Sequence, residues 1–162
     1  MNHSDDHWMR LAIETGRRAR GGSSPNPAVG CVIVKSSEVL AMGFTHPTGQ
    51  AHAEVHALSQ IADATGSTVY VTLEPCAHTG RTPPCSPALI DAGVVRVVFA
   101  QSDPTSTAGG GADVLREAGV DVVSGVLEQQ AREVNREWTV AVQRGYPYVT
   151  AKCAVSLDGR VA

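Results

Sequence analysis

Thr68-Val69-Tyr70-Val71-Thr72-Leu73-Glu74-Pro75-Cys76 is a β-branched run that ends on a carboxylate, a proline and a thiol. Upstream stands His52-Ala53-Glu54-Val55-His56, at the head of a helical pattern. Downstream, after eight residues, Cys85 opens a second one. A strand between two helices, with imidazole and thiols at the junctions, predicts an α/β fold with a site at one end of the sheet. His52, Cys76 and Cys85 offer the nitrogen and sulfur donors that tetrahedral Zn²⁺ takes. Three protein ligands leave a fourth position open, the arrangement of a catalytic rather than a structural zinc. Glu54, two residues from His52, is placed to move protons beside the metal.

Outward from this stretch, strands and helices alternate. Helical spacing of Trp8, Leu11, Ala12 and Thr15 predicts a helix over Ser4–Arg20, with Ser4 as its cap and Gly21-Gly22 as its end. Val29–Lys35 and Glu38–Phe44 read as a hairpin. His52–Ala62 reads as a helix, Thr68–Leu73 as a strand, Pro84–Ala92 as a short helix and Val94–Ala100 as a strand. Ala112–Ala118, Val120–Val123 and Leu127–Val142 continue as helix, strand and longer helix. The pattern predicts a mixed five-stranded sheet with one antiparallel hairpin and a parallel remainder joined by right-handed crossovers. Tyr148–Val155 carries a further strand signal that does not fit as a closing element.

The 162 residues suit one core. A net charge of -3 and 4% aromatic residues give no reason to expect nucleic acid, and no apolar run is long enough for a membrane span. Arg17, Arg18 and Arg20 read as the solvated end of the first helix. The start lacks the basic and apolar regions of a signal peptide, so a cytoplasmic location is expected, where cysteine sets mean metal or catalysis more often than disulfides. Cys31 and Cys153, inside strand-like runs, read as small buried hydrophobes. His56 reads as a packing or hydrogen-bonding residue, and His3 and His7 as surface residues. A structural zinc would need a fourth ligand, with His78 or Cys31 the candidates, and would leave Glu54 without a role.

The zinc deaminase signature, H-x-E followed by P-C-x-x-C, is close to this pattern but for eight residues between the cysteines in place of two. In that chemistry zinc supplies an acidified water, and a neighbouring glutamate takes its proton and returns it to a ring nitrogen or the departing ammonia. Two thiolates offset the charge of the ion, which makes Glu54 more necessary as a base. The eight-residue interval carries His78, Arg81, Thr79 and Thr82, groups that bind phosphate and ribose oxygens.

Pro25-Asn26-Pro27-Ala28-Val29-Gly30, His52–Leu58 and Tyr70–Cys85 together resemble the deaminase domain of the bifunctional riboflavin-biosynthesis deaminase/reductase family. The resemblance covers nearly the whole chain. It implies a cytidine deaminase-like three-layer α/β/α fold. It implies zinc on His52, Cys76 and Cys85 with Glu54 as the proton shuttle. It also implies a small-molecule phosphoribosylaminopyrimidine substrate, 2,5-diamino-6-(5-phosphoribosylamino)pyrimidin-4-one. Asn26 would contact the pyrimidine, His78, Arg81 and Thr82 would lie along the ribose phosphate, and Asp103 would complete the ribose side. A homo-oligomer is expected. Residues 1–146 would form the deaminase domain, and 147–162, with its Ser156-Leu157-Asp158-Gly159 turn, the opening strand of an absent reductase domain. Gly109-Gly110-Gly111 reads as a helix-entry turn rather than a dinucleotide loop, so no reductase activity is expected of these residues.

Two departures fall on the presumed ribose phosphate side. Where the family commonly reads Asp-Pro-Asn, this chain has Asp103-Pro104-Thr105. Thr45 stands where many members have a histidine, with His46 shifted by one. Two other readings stay open: a deaminase of another aminopyrimidine or purine, and a zinc module without catalysis.

Overall fold

Gly30–Lys35 (β1) and Glu38–Phe44 (β2) form the expected hairpin, closed by Ser36 and Ser37, both at positive φ (52° and 64°). That backbone matches the twist of paired strands, so two residues suffice for the turn. The computed structural model describes residues 4–105 and 109–161; His3 lies outside them. The remaining elements are α1 (Asp5–Arg17), α2 (Ala53–Leu58), β3 (Thr68–Leu73), α3 (Cys85–Asp91), β4 (Arg96–Gln101), α4 (Gly111–Glu117), β5 (Asp121–Ser124), α5 (Glu128–Val134) and α6 (Arg136–Arg144).

The strands form one five-stranded sheet in the order β2-β1-β3-β4-β5. β3, β4 and β5 are parallel, as expected. Antiparallel pairing is not confined to the hairpin, however, because β1 also pairs antiparallel with β3. The cause is topological. β2 and β3 run the same way and α2 crosses between them, so β3 lands beside β1, the strand that runs opposite to both.

Alternation along the strands divides the core into two. Cys31, Ile33, Val69, Val71, Val97 and Phe99 pack on one face with Ala53 and Ala57 of α2, Leu89 of α3 and Leu115 of α4. Val32, Val34, Tyr70, Val98 and Ala100 pack on the other with Trp8, Met9 and Ala12 of α1 and Ala131 and Val134 of α5. The result is the expected helix–sheet–helix sandwich, in which side chains two apart share a face. α1 lies close on β1: a Cβ built on Gly30 would stand 2.0 Å from the Ala12 carbonyl oxygen, so only glycine allows that approach.

Several boundaries differ from expectation. Ser4 occupies the N-cap of α1 without a side-chain cap bond; its carbonyl accepts the His7 N–H instead. α2 stops at Leu58, where Ser59 Oγ and Gln60 Nε2 both donate to the His56 carbonyl (2.8 and 2.9 Å) and occupy an acceptor at the helix end. The long C-terminal helix is two helices broken at Asn135, whose side-chain amide accepts from Ala28 N–H (2.7 Å) and donates to Ala28 C=O (3.0 Å). Residues 148–154 form no strand; Val155 makes only an isolated bridge with Val161, and the segment is exposed. Cys153 is therefore exposed, not buried, because no sheet covers it, while Cys31 is fully buried as expected. Among the described residues no helix is long and apolar enough to cross a membrane.

At the end of the sheet where β3 and β4 begin, Arg96 forks onto both oxygens of Asp5 (2.8 and 2.8 Å), and Tyr70 donates its hydroxyl to Asp5 Oδ1 (2.9 Å). The Arg96 hydrogen bonds are the main cause holding the Asp5 carboxyl below its ordinary pKa. A depressed carboxyl contributes stability above its unfolded pKa and loses it as pH falls through the folded value. Asp5→Asn should therefore cost about 1–2 kcal/mol near neutral pH, discounted for partial exposure. Denaturant titration of both proteins should show the difference shrinking as pH drops below the carboxylate range; a difference that persists in acid would assign the effect to packing.

Candidate metal centre and active site

Three chain segments meet beyond the C-terminal ends of β3 and β4, where open α/β sheets bind ligands. His52 is the N-cap of α2, so Glu54 falls in that helix's first turn. Glu74, Pro75 and Cys76 follow β3 directly. Pro84 is the N-cap of α3 and Cys85 its first residue. The metal triad is thus delivered by one strand end and two helix starts, as the sequence predicts.

Nδ1 of His52 lies 3.3 Å from Cys85 Sγ and 3.7 Å from Cys76 Sγ. The three donor atoms all lie within 4.8 Å of one another. Tetrahedral zinc with ordinary Zn–N and Zn–S bonds asks for an N···S separation of roughly 3.5 Å, so the donors fit the ion. Among the described residues no fourth histidine, cysteine or carboxylate joins the cluster, and neither His78 nor Cys31 completes it. The requirement of a structural zinc for a fourth protein ligand is therefore not met.

Electrostatics point the same way. Cys76 is held down to about 4, first by the hydrogen bond from Cys85 and then by His52. Cys85 is pushed up, first by that same bond to Cys76 and then by burial. His52 is raised, chiefly by its bond to Cys76. Without a cation only one of the two thiols ionises readily; a divalent ion removes the conflict and makes both thiolates. Glu54 is 4% exposed, and burial pushes its carboxyl up to about 7.

A cavity of about 370 Å³ opens beside the triad. His52, Glu54 and Cys76 form its floor, and Asn26, His78, Arg81, Thr82 and Asp103 all line it. Every predicted site residue except Cys85 therefore lines one space, and Cys85 is fully buried behind it. Asn26 comes from the loop before β1, where its N–H donates to the Ser23 carbonyl (2.8 Å). His78 and Arg81 are exposed on the eight-residue interval. Asp103 Oδ1 accepts from Thr105 N–H (2.8 Å) and Thr105 Oγ1 (2.6 Å), so the threonine that departs from the family pattern holds the aspartate. Thr45, the other departure, is buried, lines the cavity and accepts the Val29 N–H (3.1 Å). His46 lies outside the lining, 3.1 Å from His56 and stacked on Phe44. His56 has the hydrogen-bonding role expected of it, with its Nδ1 3.2 Å from the Phe44 N–H.

Sequence reasoning missed two contributions. Trp138 and Val142 of α6 wall the cavity with apolar surface, although 84 and more residues separate them from Glu54. Glu74 was quoted in the Glu-Pro-Cys element without a role. Its Oε1 accepts from the N–H groups of Gly110 and Ala112 (3.1 Å each), and its Oε2 from Asp103 N–H (3.2 Å). A carboxylate directly before the Pro-Cys pair was the signal available. Gly111 follows as the first residue of α4, where an added Cβ would sit 1.7 Å from the Pro75 carbonyl oxygen. The Gly109-Gly110-Gly111 run is indeed a helix entry, with Gly110 left-handed at the N-cap.

The chain is similar to proteins of known family. The model of the cytidine and deoxycytidylate deaminase zinc-binding region matches residues 2–101. Riboflavin biosynthesis protein RibD of Bacillus amyloliquefaciens is 46% identical over 98% of this chain, and that of Mycobacterium tuberculosis 49% identical over 98%. The chain spans 43% and 48% of those two proteins, less than half of each. Among solved structures, RibD of Acinetobacter baumannii superposes with a TM-score of 0.92 at 49% identity, over 96% of this chain and 45% of that one. A diaminohydroxyphosphoribosylaminopyrimidine deaminase/5-amino-6-(5-phosphoribosylamino)uracil reductase of Thermotoga maritima gives a TM-score of 0.93 at 37% identity, over 98% and 46%. The match reaches from the first helix to the end of β4 and includes all three donors and Glu54, so the chain belongs to the family of zinc-binding cytidine and deoxycytidylate deaminases.

Proposed function

We propose that this chain catalyses the hydrolytic deamination of 2,5-diamino-6-(5-phosphoribosylamino)pyrimidin-4-one to 5-amino-6-(5-phosphoribosylamino)uracil and ammonia, a step of riboflavin biosynthesis. The observation that carries the reading is the cavity itself. One space beside a His-Cys-Cys metal triad is lined by a buried carboxyl and by an arginine, an imidazole and an aspartate. The names of the similar proteins from Thermotoga and Bacillus support the substrate assignment.

Zinc, held by His52, Cys76 and Cys85, supplies when bound a Lewis acid that acidifies water at neutral pH. The remaining roles belong to the chain. Glu54 accepts the proton of the attacking water and passes it to the ring nitrogen; it then takes the remaining proton from the new C–OH and passes it to the leaving amine as the C–N bond breaks. Asn26 orients the pyrimidine. Trp138 and Val142 exclude water from one wall. Arg81 and His78 take the phosphate, and Asp103, fixed by Thr105, takes the ribose hydroxyls. Four free cysteines suit a reducing, cytoplasmic setting. The exposed Val39 and Met42 on edge strand β2 suit assembly as a homo-oligomer. Residues 1–146 form the deaminase unit, and 147–162 lie outside it.

The test is ammonia release from the phosphorylated substrate, its dephosphorylated form, cytidine, deoxycytidylate and guanine. Turnover confined to the first supports the assignment; preference for a nucleobase or nucleotide of another class would move the chain to a different deaminase. Arg81→Ala should raise KM for the phosphorylated substrate by an amount worth about 1.5–3 kcal/mol, the value of one charge-assisted hydrogen bond, with zinc content unchanged. Equal KM values for parent and variant would remove Arg81 from the phosphate site.

A further inference from the structure

Thr82 is expected from its place in the interval to touch the ribose phosphate, but its hydroxyl does something else. Thr82 Oγ1 lies 3.2 Å from Nε2 of His52. The other ring nitrogen, Nδ1, is the one that faces both sulfurs. An imidazole that gives Nδ1 to a metal carries its proton on Nε2, and that N–H needs an acceptor. The threonine oxygen is positioned to be that acceptor. We propose that Thr82 is a positioning residue for the metal: it accepts the Nε2–H of His52, and so fixes the tautomer and the ring plane that present Nδ1 to zinc.

The local sequence explains why a loop threonine can do this. Thr82 precedes Pro83, and Pro83 precedes Pro84, so both backbones are restricted to extended conformations. The β-branched side chain has few rotamers. Three residues later the chain is fixed by fully buried Cys85, and on the other side the Thr82 carbonyl accepts Gly80 N–H (3.3 Å) in a tight turn. The hydroxyl is therefore held against the ring by backbone restraint on both sides. Arg81 sits within the same turn and lines the same cavity. The turn that would carry the phosphate contact is thereby tied to a metal ligand.

The inference rests on His52 being a zinc ligand, and the experiment separates the two claims. Zinc affinity is measured by competition with a chromophoric chelator for the parent chain, Thr82→Val and Thr82→Ser. Valine keeps the shape and removes the acceptor; serine keeps the acceptor. Thr82→Val should weaken zinc affinity by about 10- to 100-fold, the usual cost of losing an outer partner of a ligating histidine, and Thr82→Ser should recover most of it. Nitrogen NMR of the zinc-loaded parent should show His52 protonated at Nε2, and that proton should exchange with solvent faster in Thr82→Val. A valine variant with parental zinc affinity and altered KM alone would return Thr82 to the substrate and overturn the inference while leaving the metal site intact. A parent chain that binds no zinc would overturn both. Should Thr82→Val not fold, a parent spectrum with Nε2 unprotonated would still defeat the proposal.

Discussion

Glu54→Gln is expected to leave the protein folded and loaded with zinc while its turnover drops by about 10²- to 10⁴-fold, the range over which a positioned acid–base group contributes. The amide fills the same buried volume beside the triad but accepts no proton from water and returns none to the leaving amine. Burial raises the Glu54 carboxyl above its ordinary value, which suits a group that must both take and give a proton. The measurement is ammonia release at saturating substrate beside metal content on the same sample. Turnover within tenfold of the parent would remove Glu54 from the chemistry. Loss of zinc along with turnover would show that the carboxyl supports the metal instead.

Removing a donor should have a different signature. Cys76→Ala is expected to bring zinc from one per chain to near none and ammonia release below detection. In the structure Cys76 Sγ accepts Cys85 N–H (3.3 Å) and lies 3.7 Å from His52, so it is the sulfur through which the strand end meets both helix starts. Metal binding to the folded state alone also adds stability, about 2.7 kcal/mol when free zinc stands 100-fold above its dissociation constant. The parent's melting temperature should therefore rise with zinc, and that of Cys76→Ala should not. A variant that retains one zinc and melts like the parent would mean that the metal takes its donors elsewhere.

The triad was legible because its chemistry is local. His52 and Glu54 share one helix start, and Cys76 and Cys85 sit at element junctions that proline marks. The layering was legible through the family resemblance, and the structure shows its cause, since alternating positions such as Val69 and Tyr70 go to opposite cores. What escaped depends on contacts across the chain. Nothing near Asn135 in sequence shows that its amide will take both backbone groups of Ala28 and break a helix there. Trp138 and Val142 follow the helical pattern of α6 and gave no sign of facing a cavity. The antiparallel β1–β3 seam depends on where a crossover lands, which periodicity does not encode. The strand signal of 148–155 was real as composition, yet no partner strand in the described residues satisfies it.

Glu74 gives one stretch of the cavity lining an unusual freedom. Among the described residues its hydrogen bonds come from peptide N–H groups, those of Asp103, Gly110 and Ala112. Any amino acid but proline supplies that donor. The side chain at 103, which lines the cavity, can therefore change while the backbone anchorage to the strand end before Cys76 stays the same. Evolution, or an engineer, can rewrite what this loop reads and leave the hydrolytic machinery untouched, so a library randomised at position 103 without proline should retain its metal even where its choice of substrate has changed.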